Sequence, residues 1–390
     1  MVKKSKKLLS DNENKRIVVA MSGGVDSSVV AAILSDQGYD VIGITLQLYD
    51  HGKTIEKKGA CCAGSDIYDA KLVASQLNIP HYVLDYESRF KEKVIDDFVN
   101  EYLSGNTPIP CVRCNQTVKF NDLLKMAKDL NAGALATGHY VQRIISDNEI
   151  ELHRGKDETK DQSYFLFATT QAQLNFLRFP LGGKSKEETR ILAKKFNLPV
   201  KDKPDSQDIC FVPNGKYSDV LRKLRPGSIE PGEIIHVNGS VVGKHNGIID
   251  YTVGQRRGLG IGGQKELEEK RLYVVDIDVQ SNKILVGPRQ ALEVSEITLK
   301  DFNLINKNSL LHKQKILTKL RNTGQLISAT LSKSNHQVKI ILDNPIEGVS
   351  PGQAAVIYDF QCSSRVLGGG WIDKTNALKF NKKKLVSNAA

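Results

Sequence analysis

A loop of serines and glycines near the start of the chain has the residues to bind phosphate. Residues 17–21 form a β-branched apolar run, and Ser22, Gly23 and Gly24 then permit a tight turn. From Val25 onward the apolar residues recur at helical spacing. A loop between a strand and a helix presents backbone N–H groups and the positive end of the helix dipole, so an anion site is predicted here. No lysine follows the glycines and the pattern is not G-x-G-x-x-G, so this is neither a Walker A nor a dinucleotide-binding motif.

A second group of reactive residues consists of cysteines. Cys111 and Cys114 lie in a proline-rich loop just before a helix predicted over 116–130. The dipole at a helix N-terminus stabilises a thiolate, and Arg113 would add to this effect, so a nucleophilic thiol is predicted. A third thiol, Cys210, lies in the polar segment 205–211.

Other roles for these cysteines remain open on the residues alone. Cys111 and Cys114 could form half of a zinc site, with the adjacent pair Cys61-Cys62 as the other half, although adjacent cysteines fit poorly with the usual C-x₂₋₄-C spacing. An iron–sulfur cluster on Cys111, Cys114 and Cys210 is a further alternative. Taken alone, Cys210 would be interpreted as an inert buried residue.

Composition limits the class of protein. The chain has 390 residues, which predicts two or three domains. Its 55 Lys and Arg against 44 Asp and Glu leave a net charge of +11, which favours an anionic partner such as RNA. No apolar run is long enough to span a bilayer, and the basic N-terminus lacks the apolar region of a signal peptide. We therefore expect a cytoplasmic protein without membrane contact, whose six cysteines do not form a disulfide scaffold.

The first part of the chain alternates apolar runs of strand length with segments of helical spacing. This alternation predicts an α/β unit with a parallel sheet covered by helices on both faces. Ligands of such sheets bind beyond the carboxyl ends of the strands, where Ser22–Ser28, Leu46–Leu48 and Ala136–Tyr140 would converge. After the first helix, the predicted elements are a strand at 41–48, a helix at 65–77, a strand at 81–84, a helix at 89–103 and a strand at 133–137.

The remainder of the chain is richer in β patterns. Residues 141–154 predict a hairpin, and 162–196 have a helical pattern in which Ser185 and Glu188 form a capping box. Beyond Arg225, Gly and Pro separate short β-branched runs, which predicts a small antiparallel barrel at 225–292 and a second β-rich unit at 293–376. In the second unit, strands are predicted at 315–320, 326–332, 337–342 and 354–358. Residues 1–15 and 377–390 are expected to be tails, and a chain ending near Arg225 is expected to keep its fold.

Several segments together resemble a known family. The phosphate loop, Ser-Gly-Gly-x-Asp-Ser after a strand, resembles the PP-loop of N-type ATP pyrophosphatases, which cleave ATP to AMP and pyrophosphate. Nearly the whole chain resembles the tRNA-specific 2-thiouridylases, the MnmA family, through seven segments in order: 20–27, 110–115, 136–140, 160–166, 205–211, 251–260 and 351–355. The resemblance implies a PP-loop catalytic unit at 16–224 with a helical tRNA-contacting part, followed by two small barrel-like units.

The resemblance also implies roles for individual residues. Cys114 matches the family's nucleophile and Cys210 its persulfide carrier. Residues matching the ATP site are Ala20, Met21, Ser22, Gly23, Gly24, Val25, Asp26, Ser27, Leu46 and Gly138. Those matching the segment that meets the target base are Ile109, Pro110 and Cys111, and those matching tRNA contacts are His139, Lys160, Asp161, Gln162, Arg321, Asn322 and Gln353.

The reaction implied by the family has two stages. ATP adenylates the C2 oxygen of the wobble uridine, with Mg²⁺ shared by the phosphates and Asp26 and no metal held by the protein alone. A persulfide on Cys210, supplied by a cysteine desulfurase or sulfur relay protein, then provides the sulfur. The resemblance thus implies ATP, Mg²⁺, a transient persulfide, tRNA and a sulfur-donor protein.

The chain departs from the family pattern at four of these positions. Ile109 stands where Asn is frequent, Leu46 where Met is frequent and Asn322 where an aromatic residue is frequent. Some family members have an Asp at the position of Cys111, and proton transfer is assigned to that Asp. The Cys in this chain leaves the acid or base role open. Two alternative functions remain. One is another PP-loop synthetase, which would not need Cys114 and Cys210. The other is a non-catalytic RNA-binding protein, and the intact phosphate loop argues against it.

Overall fold

The structure, a computed structural model, describes residues 15–49, 62–146, 149–205, 209–212, 217–225, 227, 230–261, 271–306, 313–334 and 337–377. Cys61 and the predicted tails, except Lys15 and Ala377, lie outside the described residues. So do the hairpin turn at 147–148, the part 206–208 of the Cys210 segment and the side chain of Cys62. No helix of the described residues is both long and apolar enough to cross a membrane.

The first unit contains seven strands and seven helices among the described residues. Its strands are β1 Arg16–Ala20, β2 Asp40–Gln47, β3 His81–Asp85, β4 Ala134–Ala136, β5 Val141–Ser146, β6 Glu149–Arg154 and β7 Leu177–Arg178. The helices α1 Val25–Asp36, α2 Cys62–Gln76, α5 Gln171–Phe176, α6 Lys186–Lys195 and α7 Tyr217–Leu224 are regular. Helix α3 consists of three consecutive parts: the α-helical Glu87–Phe90, the π-helical Lys91–Ile95 and the α-helical Asp96–Leu103. Helix α4 likewise consists of the α-helical Pro110–Arg113, the π-helical Cys114–Leu123 and the α-helical Leu124–Asp129.

Five strands form a parallel sheet in the order β3-β2-β1-β4-β7, which confirms the predicted α/β unit. The central strand β1 is apolar on both sides because helices cover both faces of the sheet. Val18 packs in one cluster with Leu124 of α4, whereas Ile17 and Val19 pack on the other face with Val29 of α1. The carboxyl ends of β1, β2 and β4 therefore meet at one edge, as predicted.

Helix α4 corrects the prediction for the cysteine segment. The helix begins at Pro110, not at Gln116, so Cys111 and Cys114 lie inside it and not in the preceding loop. Proline is favourable at the first helical position because it has no N–H to leave unpaired there. The proline-rich sequence therefore marks the start of the helix.

The segment 141–195 is only partly helical. The hairpin of β5 and β6 is confirmed, and so is the Ser185–Glu188 capping box at the start of α6. The helical pattern predicted over 162–196 is confirmed for α5 and α6 and wrong for the rest, which contains a short 3₁₀ turn at Ser163–Leu166 and strand β7. Strand β7 extends the parallel sheet beside β4, and this pairing overrides the helical spacing of its residues.

The central unit has the strands β8 Gly232–His236, β9 Val241–His245, β10 Tyr273–Asp278 and β11 Lys283–Gly287. They form one sheet in the order β10-β11-β8-β9. Strands β8 and β11 are parallel, so the fully antiparallel arrangement predicted for this unit is wrong. Hairpins connect β8 to β9 and β10 to β11, while the long chain between β9 and β10 permits the parallel pair.

The C-terminal unit is a closed barrel of six strands. These are β12 Glu293–Leu304, β13 Gln314–Lys319, β14 Ile327–Lys333, β15 Val338–Glu347, β16 Ala354–Asp359 and β17 Arg365–Thr375. Their order is β12-β15-β14-β13-β16-β17, and β12 pairs with β17 to close the barrel. The four predicted strands are confirmed, but β12 and β17 were not predicted. The three consecutive glycines of β17 conceal it because glycine is depleted in strands.

The barrel and the first unit share one hydrophobic core. Strand β17 pairs with β6, so the hairpin of the first unit continues the barrel sheet. Tyr164 and Phe167 of the first unit lie in the same cluster as Tyr358 and Trp371 of the barrel. This shared core corrects the expectation that a chain ending near Arg225 keeps its fold, because its loss would expose buried aromatic side chains.

Candidate active site

The phosphate loop between β1 and α1 is shaped by glycine and by hydroxyl groups. Gly23 has φ +71°, and a Cβ atom on it would lie 2.1 Å from the backbone oxygen of Asp66. Ser28 Oγ donates to the Gly24 carbonyl at 2.8 Å, and the Ser22 N–H donates to Ser27 Oγ at 3.1 Å. No side chain of the described residues caps the start of α1, so its N-terminus is open to an anion.

A cavity of about 250 Å³ lies directly above this loop. Seven of the residues matched to the ATP site line it: Ala20, Met21, Ser22, Asp26, Ser27, Leu46 and Gly138. Gly23, Gly24 and Val25 complete the turn and the start of α1 beside it. Leu48 and Thr137 also line it, in the strand ends that were predicted to converge here, whereas Ile44, Lys119 and Leu123 were not predicted. The apolar side chains among them provide a wall for a planar base, while the loop provides donors for phosphates.

Gly138 brings the end of β4 into contact with the loop. A Cβ atom on Gly138 would lie 3.0 Å from the Ser27 nitrogen and 3.1 Å from Asp26. A larger residue would therefore displace the start of α1. The neighbouring His139 also lines the cavity and bonds through Nδ1 to Thr137 Oγ1 at 2.8 Å. Burial, helped by the charge of Lys119, lowers the pKa of His139 to about 3, so its imidazole is neutral at physiological pH.

Asp26 connects the loop to the segment that contains Cys210. Lys186 Nζ lies 2.7 Å from Asp26 Oδ1 and 2.8 Å from Asp205 Oδ1. Lys160 and Arg190 also pair with Asp205, each at 2.9 Å. Burial alone would raise the pKa of Asp205, but the ammonium groups of Lys186 and Lys160 outweigh it and lower the pKa to about 2. Asp205 is thus an ionised anchor at the start of the segment 205–211.

Cys114 lies inside the protein, on the helix that forms one side of the cavity. It is 6% exposed and packs in an apolar cluster with Phe98, Val118 and Phe211. Burial raises the pKa of its thiol, which corrects the predicted stabilisation of the thiolate by the helix dipole and Arg113. The Arg113 guanidinium lies 4.4 Å from the Trp371 ring centre and 3.4 Å from Asp97, so it is engaged with the barrel junction.

Cys210 interacts electrostatically with both cysteines of α4. The residue as a whole is exposed. Desolvation of its thiol, followed by the effects of Cys114 and Cys111, raises the pKa of Cys210 to about 12. Its neighbour Phe211 packs edge-on against Phe98 at 5.2 Å, which holds the segment on the Cys114 cluster. Among the described residues, no group of three His, Cys, Asp or Glu side chains is arranged to hold a metal ion.

Comparison with known proteins agrees with this architecture. Family models match three consecutive parts of the chain: a tRNA methyl transferase HUP domain at 15–214, a tRNA methyl transferase PRC-barrel domain at 218–288 and an aminomethyltransferase beta-barrel domain at 294–372. A tRNA-specific 2-thiouridylase MnmA of Rhodospirillum centenum is 56% identical over 369 residues, which cover 94% of this chain and 93% of that protein. The chain belongs to the MnmA family of tRNA-specific 2-thiouridylases.

Two further relatives have similar coverage. The MnmA protein of Hyphomonas neptunium is 57% identical over 361 residues, which are 92% of this chain and 90% of that protein. The MnmA protein of Rickettsia africae is 57% identical over 367 residues, which are 93% of this chain and 98% of that protein. The relatives therefore match all three units of the chain.

The segment matched to the family's target-base contact is held by the barrel. The Thr107 N–H donates to the Pro351 carbonyl at 2.8 Å, and Gln353 Nε2 donates to the Thr107 carbonyl at 2.8 Å. Ile109 and Pro110 are buried and Cys111 is exposed, so the barrel turn at 350–353 sets where α4 starts. The sequence indicated the Pro-Gly-Gln motif at 351–353 but not its contact with the cysteine helix.

The remaining residues matched to tRNA contacts differ in their surroundings. Gln162 lines the cavity, and its side-chain oxygen accepts from the Tyr140 N–H at 2.9 Å. The Asp161 carboxylate is fully buried and accepts from the Gly155 and Ser163 N–H groups, both at 3.1 Å. Asn322 is exposed, and the exposed Arg321 donates to the carbonyls of Glu347 and Gly348. The structure thus brings His139 and Gln162 into the cavity above the phosphate loop and leaves Arg321 and Asn322 at the barrel surface.

Proposed function

We propose that this protein is a tRNA 2-thiouridylase that adenylates the C2 oxygen of the wobble uridine and replaces that oxygen with sulfur. One observation carries the proposal: the cavity above the phosphate loop is bounded by the helix that bears Cys111 and Cys114. A nucleotide site beside a pair of thiols suits a reaction that first activates an oxygen and then displaces it. The family membership of the chain supports the same reaction.

Adenylation makes the oxygen a leaving group. The uridine oxygen attacks the α-phosphate of ATP, pyrophosphate departs, and the C2 carbon then carries an adenylated oxygen that leaves as AMP. The open N-terminus of α1 and the hydroxyls of Ser22 and Ser27 would hold the phosphates. Leu46, Ile44 and Leu123 would contact the adenine.

The donor set at the loop fits a magnesium ion that arrives with the nucleotide. Among the described residues, Asp26 is the carboxylate that lines the cavity, and Mg²⁺ commonly uses one carboxylate together with phosphate oxygens. When bound, the ion would neutralise charge on the departing pyrophosphate. Asp26 would hold it, and Lys186 would keep its second contact, the ion pair with Asp205.

Sulfur transfer would use the thiols of Cys210 and Cys114. A donor protein's persulfide would pass its outer sulfur to the accessible Cys210, leaving a thiol on the donor. The Cys114 thiolate then attacks the Cys210 sulfur, a Cys114–Cys210 disulfide forms, and hydrosulfide is released to attack C2 as AMP leaves. Alternatively, the terminal sulfur attacks C2 first and the disulfide closes as thiouridine is released. In both routes a thiol reductant supplies two electrons to restore the dithiol.

The tRNA surface would extend from the cavity to the barrel. Ile109, Pro110 and Cys111 would meet the flipped uridine, which leaves its stack easily in a single-stranded anticodon loop. Neutral His139 and Gln162 would hydrogen-bond to it or its neighbours, since they line the cavity. Lys160, Arg321, Asn322 and Gln353 would contact the tRNA backbone. The buried Asp161 would act indirectly, by fixing the local backbone through its hydrogen bonds from the Gly155 and Ser163 N–H groups.

The experiment that tests this function is nucleoside mass spectrometry. Unmodified tRNA is incubated with the protein, ATP, Mg²⁺ and a persulfide source, and the same tRNA with cytidine at the wobble position is the control. We expect 2-thiouridine in the first tRNA only, with AMP and pyrophosphate as products. ADP and phosphate as products, or an added methyl group in place of sulfur, would contradict the proposal.

A further inference from the structure

Lys119 differs from the other lysines near the cavity because no carboxylate of the described residues forms an ion pair with it. It lines the cavity together with Asp26, Ser27 and His139. Lys160 and Lys186 both pair with Asp205 within 3 Å, and Lys203 pairs with Asp66 and Asp69. Among the residues that the structure describes, Lys119 has no hydrogen bond to a carboxylate or carbonyl. Its ammonium group is therefore available to an anion in the cavity.

The π-helical segment of α4 brings Lys119 to the same side of the helix as Cys114. A π-helix forms hydrogen bonds between residues five apart, so Lys119 lies one turn after Cys114. In a regular α-helix, residues five apart would point to different faces, because neighbours on one face are three or four apart. This segment is ten residues long, and π-helical turns inside α-helices are frequent at functional sites.

Lys119 is also the cation that acts on the thiols. Its charge lowers the pKa values of Cys111, Cys114 and Cys210 against the effect of burial, which raises all three. Besides the thiol of Cys111, which acts on Cys114 electrostatically, the titratable groups packed in the apolar cluster around Cys114 are the phenols of Tyr49, Tyr86, Tyr102 and Tyr217. None of these phenols supplies positive charge. Among the described residues, Lys119 alone acts on Cys114 as a cation.

We propose that Lys119 is a positioning residue whose ammonium group provides the counter-charge for the thiolate of Cys114. The inference deepens the proposed function and rests on it, because it assigns the group that makes the buried nucleophile reactive. A thiolate in an apolar cluster needs a nearby positive charge to compensate for its lost hydration. Lys119 supplies this charge at the wall of the nucleotide cavity, so the thiolate forms where the adenylated base would lie.

The test measures the ionisation of Cys114 without the reaction. The intact protein is alkylated with iodoacetamide over a range of pH, and the rate at Cys114 is followed by peptide mass spectrometry. Trypsin cleaves after Arg113, so the Cys111 and Cys114 peptides are separated. Lys119→Met is compared with the wild type, with Lys119→Arg as the conservative variant. Lys125→Met is the matched control, since Lys125 is an exposed lysine on the same helix and does not line the cavity.

We expect the midpoint of the pH profile to rise by roughly one unit or more in Lys119→Met, as removal of a nearby opposite charge implies. Lys119→Arg and Lys125→Met should keep the wild-type midpoint. An unchanged midpoint in folded Lys119→Met, or an equal rise in Lys125→Met, would overturn the inference. If thermal unfolding shows that Lys119→Met is not folded, Lys119→Gln replaces it.

The measurement separates this inference from the proposed function. Alkylation needs neither tRNA, ATP nor sulfur, so the shift is observable even if the protein makes no thiouridine. Conversely, thiouridine formation together with an unchanged midpoint in Lys119→Met would leave the proposed function intact and remove only the role of Lys119.

Discussion

The phosphate loop and the cysteine segment border one cavity, yet they are built in different ways. The loop is shaped mainly by residues close in sequence, through the positive φ of Gly23 and the hydroxyl contacts of Ser27 and Ser28 with Gly24. The start of the cysteine helix depends on distant residues, because the barrel turn at 350–353 holds Thr107. A phosphate site can be made by one turn and one helix start, whereas a pair of thiols must be brought together by the tertiary structure.

The two cysteines should give the largest effects and should divide the reaction between the two regions. We expect Cys210→Ser to lose loading with labelled sulfur. Cys114→Ser should still load sulfur but make no thiouridine, because it lacks the attacking thiolate. Both variants should form adenylated tRNA at the wild-type rate, since neither thiol belongs to the phosphate loop.

Thermal unfolding and metal analysis of the same variants test the zinc interpretation. If Cys114 were a structural zinc ligand, Cys114→Ser would lose metal and unfold at a clearly lower temperature. Variants that remain folded and contain as much metal as the wild type would support sulfur transfer.

Gly23→Ala should disrupt the loop while leaving the cysteines intact. Its Cβ atom would meet the backbone of Asp66 and its φ would be strained, at a cost of about 1–3 kcal/mol. We expect tRNA-dependent AMP formation to fall by roughly ten- to a hundredfold, whereas sulfur loading on Cys210 is unchanged. Gly24→Ala is the matched control, because Gly24 has φ −90° and its Cβ would have only Ser22 Oγ nearby, at 3.5 Å. Equal losses in both variants would show that the conformation of Gly23 is not the cause.

The ion pairs of Asp205, which connect the cysteine segment to the phosphate loop through Lys186, should make the melting temperature depend on pH. Its pKa is lowered from 3.8 to about 2 in the folded protein, so its ion pairs stabilise the fold above the unfolded pKa and this contribution is lost as pH falls through about 2. We expect the melting temperature of the wild type to fall more steeply between pH 4 and pH 2 than that of Asp205→Asn, in line with this shift. Parallel melting curves for the two proteins across this range would contradict the assignment.

Gln353→Leu should have the smallest effect, and this effect should be on the cysteine helix and not on the phosphate loop. The variant loses the hydrogen bond to Thr107, worth about 1 kcal/mol, and loosens the start of α4. Thiouridine formation should fall several-fold while ATP affinity, measured by calorimetry, stays the same. Gln361→Leu replaces an exposed glutamine elsewhere in the barrel and should change neither quantity. A loss of ATP affinity in Gln353→Leu would show that the barrel turn also supports the loop.

The sequence by itself determined the parts of this protein that depend on local pattern. The strand-loop-helix unit at 16–36, the parallel sheet and the capping box at Ser185 follow from apolar spacing, glycine and hydroxyl residues, and all three are present. The family resemblance also identified most residues of the cavity, because its motifs lie at the carboxyl ends of adjacent strands. Such features depend on neighbours a few residues away, so short-range physics is sufficient to predict them.

Only the tertiary structure decided how the nucleophile is surrounded. The sequence suggested Arg113 as the cation beside Cys114, but Arg113 lies against Trp371 of the barrel, and Lys119 takes that place through a π-helical turn. Strand β17 was missed because its glycines have low strand propensity, although closure of the barrel and pairing with β6 compensate for this. Burial changes the ionisation of a thiol, and long-range pairing changes whether a segment forms a strand. Both effects depend on residues that are distant in sequence.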